Sequence, residues 1–190
     1  MSRGQITRDK ILRSSLELFV EKGIAATTTR EISARAGISE GAIYRHFESK
    51  DEIAFELFKS IHIRLADMIH DVAVADTGFE EKVRAIVTTY VHLADEDRLL
   101  FAYHLRFQHL FFHRFAERKR PNPVDNVEKI IANAITAKDI PDGNPVLLGA
   151  MALGIVMQPS VHRTYGRLSD SLSDHIDQFT KSVLAILRQT

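Results

Sequence analysis

Thr27-Thr-Thr-Arg-Glu-Ile-Ser-Ala-Arg-Ala-Gly-Ile-Ser-Glu-Gly-Ala-Ile-Tyr-Arg-His-Phe-Glu-Ser-Lys-Asp-Glu-Ile53 carries three separate helix starts. Thr28-Thr-Arg-Glu31 is a capping box, in which the hydroxyl takes the Glu31 amide and the carboxylate reaches back. It predicts a short helix ending by Ala36, with Gly37 making the turn. Ser39 is placed to cap a third helix, Glu40 to His46. A second box, Ser49-Lys-Asp-Glu52, opens a long fourth helix reaching about Val74.

Two short helices around a glycine turn form a helix-turn-helix, whose second helix enters the DNA major groove. The residue types suit that task. Gly41 and Ala42 allow close approach to DNA, Tyr44 and His46 can donate to phosphate, and Arg45 brings charge and a fork. Lys50 sets a cation at the start of the fourth helix. Thr28 and Arg30, where the second helix begins, complete the DNA-facing set, although for Arg30 a solvated surface role competes with phosphate contact. Ile32, Ile43 and Phe47 are the apolar positions that tie the unit to a first helix, about Thr7 to Lys22, whose face is Ile11, Leu12, Ser15, Leu16 and Phe19. A core role competes with DNA contact for Tyr44, as a capping role does for His46; for Phe47 the core is preferred.

Working outward, apolar positions recur at helical spacing throughout, and no alternation is long enough for a sheet. Punctuation at Gly23, 76–78, 95–97, 120–123, 140–143 and 165–166 divides the chain into about nine helices. Gly23 is expected to end the first in a left-handed cap. Net charge is zero over 190 residues, yet residues 1–50 hold 9 Lys/Arg against 6 Asp/Glu. The excess has the sign of a DNA-binding head on an acidic body. The absence of cysteine excludes disulfides and thiolate metal sites. No signal peptide and no apolar run of membrane length is recognised, and a cytoplasmic protein is expected.

Residues 27–53, with the Tyr44-x-His46-Phe47-x-x-Lys50 run and the upstream Ile11-Leu12, Leu18-Phe19 and Gly23, resemble the signature of the tetracycline-repressor (TetR) family. The resemblance covers about the first 60 residues. It implies an all-α homodimer: a three-helix DNA-binding head, residues 1–50, on a helical ligand-binding and dimerisation body, residues 51–190. It places Thr29, Ser39, Gly41, Tyr44, His46 and Lys50 where the family touches its operator, and Glu40 and Arg45 where base-reading side chains vary. Glu40 departs from the cations often found there; it either accepts from a cytosine amino group or simply favours the helix start.

In the body, Phe101 to Phe115 gathers six of the chain's fifteen Phe and Tyr residues. Such density is core or the wall of an apolar pocket. The family places its cavity beneath the head, which implies Ile61, Leu65, Val87, Tyr90, His104, Phe107, Gln108 and Phe111 as lining. His109 and His113 have the spacing of a metal pair but lack a third ligand, so neither metal nor cofactor is expected. Arg118-Lys119-Arg120 reads as a solvated helix end.

The segment from Pro145 to about His162 is apolar nearly all round, with Pro159 expected to kink or end it. The last helix, about Ser171 to Arg188, has one apolar stripe. Leu147, Met151, Ile155, Leu172, Ile176, Phe179, Val183 and Leu187 then either pack within the chain or pair with their copies as a four-helix bundle; the resemblance favours the dimer.

The expected function is a ligand-responsive repressor of double-stranded operator DNA, released by a small apolar or aromatic effector. The alternative is a chromosome-organising protein using the same head. No nucleophile elbow, phosphate loop, dinucleotide fingerprint or cysteine nucleophile supports an enzyme.

Overall fold

The computed structural model describes residues 2–116 and 122–189, without the side chains of residues 112, 115 and 116. The expected Arg118–Arg120 helix end and the Arg120-Pro121 break lie outside the described residues, as do the side chains of Phe112 and Phe115. Nine α-helices and a 3-10 turn make up the described residues, with no strand among them.

Helix α1 runs Arg3–Lys22. It starts earlier than expected because the Ser2 hydroxyl accepts the Gln5 N–H at 3.2 Å. Gly23 follows at φ 89°, ψ 160°. This is a positive-φ conformation suited to glycine, though not the left-handed helical cap expected. Helix α2, Thr29–Ala36, opens on the complete capping box. Thr28 Oγ1 accepts the Glu31 N–H at 3.2 Å, and Glu31 accepts the Thr28 N–H at 2.9 Å. Gly37 then turns the chain in the left-handed region, φ 67°, ψ 38°.

Helix α3 covers Glu40–Ile43 only. Residues 44–46 continue as a turn, because the Ile43 carbonyl accepts both the His46 N–H at 2.9 Å and the Phe47 N–H at 3.0 Å. This tightening drives Phe47 into the core, where it is 3% exposed. Ser39 precedes α3 without capping it by its side chain. Helix α4, Lys50–Val74, has a modified box: Ser49 Oγ accepts the Glu52 N–H at 3.1 Å, while the Glu52 carboxylate reaches the Glu48 N–H.

The chain then forms α5 (Phe79–Glu96), α6 (Arg98–Ala116), α7 (Pro123–Ala137), α8 (Pro145–Thr164), the 3-10 turn Leu172–His175 and α9 (Ile176–Leu187). It folds as two compact units, Met1–Ile61 with Leu99–Phe115, and His62–Arg98 with Ala116–Thr190. The boundary falls within α4.

In the first unit Ile11, Phe19, Ile32 and Ile43 are fully buried. Each such side chain contributes about 1.5–3 kcal/mol. Helix α6 is fastened to this core by two long-range bonds. The Tyr103 hydroxyl donates to the Ala54 carbonyl at 2.7 Å, and Arg106 donates to the Val20 carbonyl at 3.0 Å.

In the second unit α5 packs on α9, α7 on α8, and α8 on α9. Pro159 does not end α8, which runs on to Thr164. The extension is held beyond the proline by Arg163, whose buried guanidinium pairs with Asp95. Asp95 also accepts the Leu172 N–H at 3.2 Å, the Ser173 N–H at 2.9 Å, and the hydroxyls of Ser171 and Ser173. One carboxylate thus clasps the end of α8 and the start of the 3-10 turn to α5. Contrary to the expectation from sequence, α8 is by length and composition apolar enough to cross a membrane. Its Gly149, Ala152, Leu153 and Val156 are buried in the unit, while much of the remaining apolar surface points outward.

Candidate nucleic-acid interface

Every side chain singled out for DNA contact is accessible. Thr28, Arg30, Ser39, Glu40, Gly41, Tyr44 and Arg45 are exposed, and Thr29, Ala42, His46 and Lys50 are half-buried. Tyr44 is 55% exposed, so it is not a core aromatic, in contrast to the adjacent Phe47. A Cβ placed on Gly41 would meet nothing within 4 Å. Packing within the chain therefore does not demand glycine there; the small residue keeps an outward surface low.

Charge pairing sorts the cations of the head. Arg8 pairs with Glu56 at 3.0 Å, Arg13 with Glu17 at 3.3 Å, Arg35 with Glu21 at 2.7 Å, and Lys22 with Glu31. The Lys22 hydrogen bond, followed by those from Thr28, holds the Glu31 carboxyl down at about 2. Among the described residues Arg3, Lys10, Arg30 and Arg45 have no ion pair, and two of them belong to the helix-turn-helix. Positive charge on the head is therefore left available to an external polyanion.

Lys50 also has partners within the chain. Its ammonium donates to the carbonyls of Ala25 at 3.2 Å and Thr27 at 2.6 Å, locking the α1–α2 turn onto α4. Thr29, Glu40 and Tyr44 are brought together. Thr29 Oγ1 lies 2.5 Å from a Glu40 oxygen and 3.4 Å from the Tyr44 hydroxyl.

The pocket candidates divide between the units. In the first, Ile61 is buried, His104 stacks on Phe58 at 5.1 Å, Phe107 lies 4.8 Å from the Tyr103 ring, and Phe111 tilts against Phe55 and Phe58. Gln108 is exposed. In the second, Leu65, Val87 and Tyr90 are buried. The second unit also holds a cavity of about 20 Å³ that sequence reasoning missed, lined by apolar side chains of α5, α7, α8 and α9. Val87 alone of the expected lining belongs to it; Ile86, Ile131, Leu153 and Val183 are among the rest. Nothing in the helical periodicity sets such positions apart from ordinary core.

The partner-helix candidates also divide. Leu172, Val183 and Leu187 point inward, at 2%, 4% and 2% exposure, because the stripe of α9 is already covered by its own chain. Leu147 and Met151 are 57% and 43% exposed, and Ile155, Ile176 and Phe179 are half-buried. His109 and His113 are exposed, and no group of three or more ligating side chains is placed for a metal among the described residues.

A capped helix-turn-helix with open cations is the arrangement of a DNA-binding head. Residues 11–57 match the family model of bacterial regulatory proteins, tetR family. The head, residues 11–57, is thus similar to that of the tetR family. An HTH-type transcriptional repressor of Mycobacterium tuberculosis is 36% identical over 66 residues, 35% of each chain. The chain thus matches about a third of the length of that curated relative. Two solved structures share the fold over nearly the whole length. A regulatory protein of the tetR family from Rhodococcus RHA1 superposes with a TM-score of 0.80 at 20% identity, covering 100% of both chains. The regulator FadR from Bacillus subtilis, in complex with stearoyl-CoA, superposes with a TM-score of 0.76 at 17% identity, covering 93% of this chain and 97% of that one.

Proposed function

We propose that the protein is a cytoplasmic transcriptional repressor that binds a palindromic operator as a homodimer and is released by a small apolar effector. Residues 1–50 serve DNA and residues 51–190 serve sensing and pairing. The observation that carries this reading is the accessible Ser39–His46 surface, with Arg30 and Arg45 uncommitted to any acid among the described residues. Phosphate contacts fix such a head on DNA, and base-edge contacts select the sequence.

The dimer is supported by α8. Val146, Leu147 and Met151 leave an apolar row uncovered by the chain itself, and a second copy would bury it. A homodimer carries two heads, one for each half-site of an operator whose half-sites lie about 34–36 Å apart.

The apolar lining of the body cavity and the aromatic wall of α6 favour an effector with a hydrophobic tail. The stearoyl-CoA held by the Bacillus subtilis neighbour makes long-chain acyl-CoA the first class to test. Release is a population shift: the effector favours a head spacing that does not fit successive grooves. A 10- to 100-fold loss of affinity needs only about 1.4–2.8 kcal/mol of differential binding. Helix α6, held to the α4 and α1 backbones by Tyr103 and Arg106, belongs to the same unit as the head.

The test is an anisotropy titration of the purified chain with labelled duplex from upstream of its own gene, against scrambled duplex, at several salt concentrations. Binding of two protomers per site, weakened by palmitoyl- or stearoyl-CoA, is expected. Equal affinity for both duplexes, unaffected by acyl-CoA, contradicts the repressor reading.

A further inference from the structure

Thr29 opens α2 and Glu40 opens α3, and their side chains meet on the surface of the helix-turn-helix with Oγ1 and Oε1 2.5 Å apart. An ionised carboxylate only accepts hydrogen bonds, so the proton in this contact is threonine's. A hydroxyl has one proton and two lone pairs. The 3.4 Å contact between Thr29 Oγ1 and the Tyr44 hydroxyl therefore runs the other way, with tyrosine as donor. The result is a directed relay from Tyr44 through Thr29 to Glu40. Among the described residues Glu40 has no ion pair, unlike Glu17, Glu21 and Glu31 of the same head.

We propose that Glu40 determines operator specificity by accepting a hydrogen bond from the exocyclic amino group of a cytosine in each half-site, with Thr29 as its positioning residue. This rests on the DNA-binding reading above and goes beyond it by assigning a base. In the major groove guanine offers only acceptors, and thymine an acceptor and a methyl group, so neither can satisfy a carboxylate. Adenine offers an amino group beside the N7 lone pair, which repels a second acceptor. Cytosine's own ring carries no acceptor beside its amino group in the groove, and so it is the base that a carboxylate selects. The same negative charge opposes phosphate everywhere on DNA, so it lowers affinity for sequences lacking the partner. Specificity then arises from repulsion as well as attraction. Thr29, its one proton directed to Glu40, orients the reader rather than donating to phosphate.

The experiment is selection from a randomised duplex library with the full chain, comparing the wild type with Glu40→Ala, Glu40→Gln and Thr29→Val. Circular dichroism verifies that each variant is folded. The wild type should enrich a symmetric site with a C·G pair in each half, and replacing that pair should weaken binding on the order of tenfold. Glu40→Ala should lose the preference at that position alone and bind scrambled duplex more tightly. Glu40→Gln should move it toward adenine, which glutamine can meet with both a donor and an acceptor. Thr29→Val should blunt the cytosine preference and leave the other positions intact. A Glu40→Ala consensus identical to that of the wild type would overturn the assignment while leaving the regulator intact. Failure of the wild type to enrich any site would remove the DNA-reading function itself.

Discussion

The Lys50 ammonium lies 2.6 Å from the Thr27 carbonyl and so joins the first turn of α4 to the residue before the α2 cap. Its position in the motif suggests a phosphate ligand, and within the chain its geometry also makes it a strut. Lys50→Ala is therefore expected to destabilise the protein by about 1 kcal/mol, the scale of a partly exposed charge-assisted hydrogen bond. Loss of DNA binding would follow from a loosened helix-turn-helix. Chemical denaturation measures the first effect, and a variant of wild-type stability would return Lys50 to a purely phosphate-facing role.

Tyr44 offers the opposite case. More than half exposed, it can be replaced at little cost to folding. Tyr44→Ala should weaken binding to every duplex and flatten its salt dependence, whereas Arg45→Ala should change the ranking of operators. Titrations over a set of operator variants separate the two, and an unchanged ranking would show that Arg45 reads no base.

The outward row of α8 can be tested by charge. Leu147→Asp with Met151→Asp places carboxylates on positions that are already exposed in the single chain. The monomer should keep its helicity, while sedimentation velocity shows half the mass of the wild type and operator affinity falls by at least tenfold. Unchanged mass would place the pairing face elsewhere.

Asp95 gathers a polar cluster in the second unit. Burial pushes its carboxyl up, but hydrogen bonds from Ser171, Ser173 and Arg163 outweigh this and hold it well below its ordinary 3.8. A depressed carboxyl contributes stability that is present above its unfolded value and is lost as pH falls through the folded one. The clasp should thus persist through mild acid. Asp95→Ala removes it and strands the buried Arg163 charge, a change expected to cost about 3 kcal/mol at neutral pH. Thermal melts at pH 7 measure it.

His62 gives acid sensitivity in a higher window. Burial pushes its imidazole down from 6.5 to about 4. Between those values the unfolded chain holds a proton that the folded chain excludes, so stability falls as pH drops from about 6.5 to 4. The loss can reach about 3 kcal/mol. His62→Leu should flatten the urea midpoint across this range; a slope equal to that of the wild type would place the acid sensitivity in other groups.

The head was legible in the sequence because its determinants are local. The Thr28–Glu31 box, the Gly37 turn and the burial of Ile32, Ile43 and Phe47 each follow from spacing over a few residues, and each is present. Even there, local rules set the start of α3 better than its end. The end depends on where Phe47 must reach the core, and the Ile43 carbonyl turns the chain three residues early to bring it there.

What the sequence alone determined is the helical class, the helix-turn-helix and the residues it presents, since capping and periodicity act within a turn or two of chain. Tertiary structure alone decided which long-range partners those residues take. Thr29 meets Glu40, Lys50 reaches the Thr27 carbonyl, and Asp95 gathers the end of α8 and the start of the 3-10 turn. It also decided which face of an apolar helix is covered. Leu147 and Leu187 look alike in a periodic pattern, yet one is exposed and the other is core. Periodicity records that a face is apolar; only the packing of α5, α7 and α9 determines whether the chain covers it or leaves it for a partner.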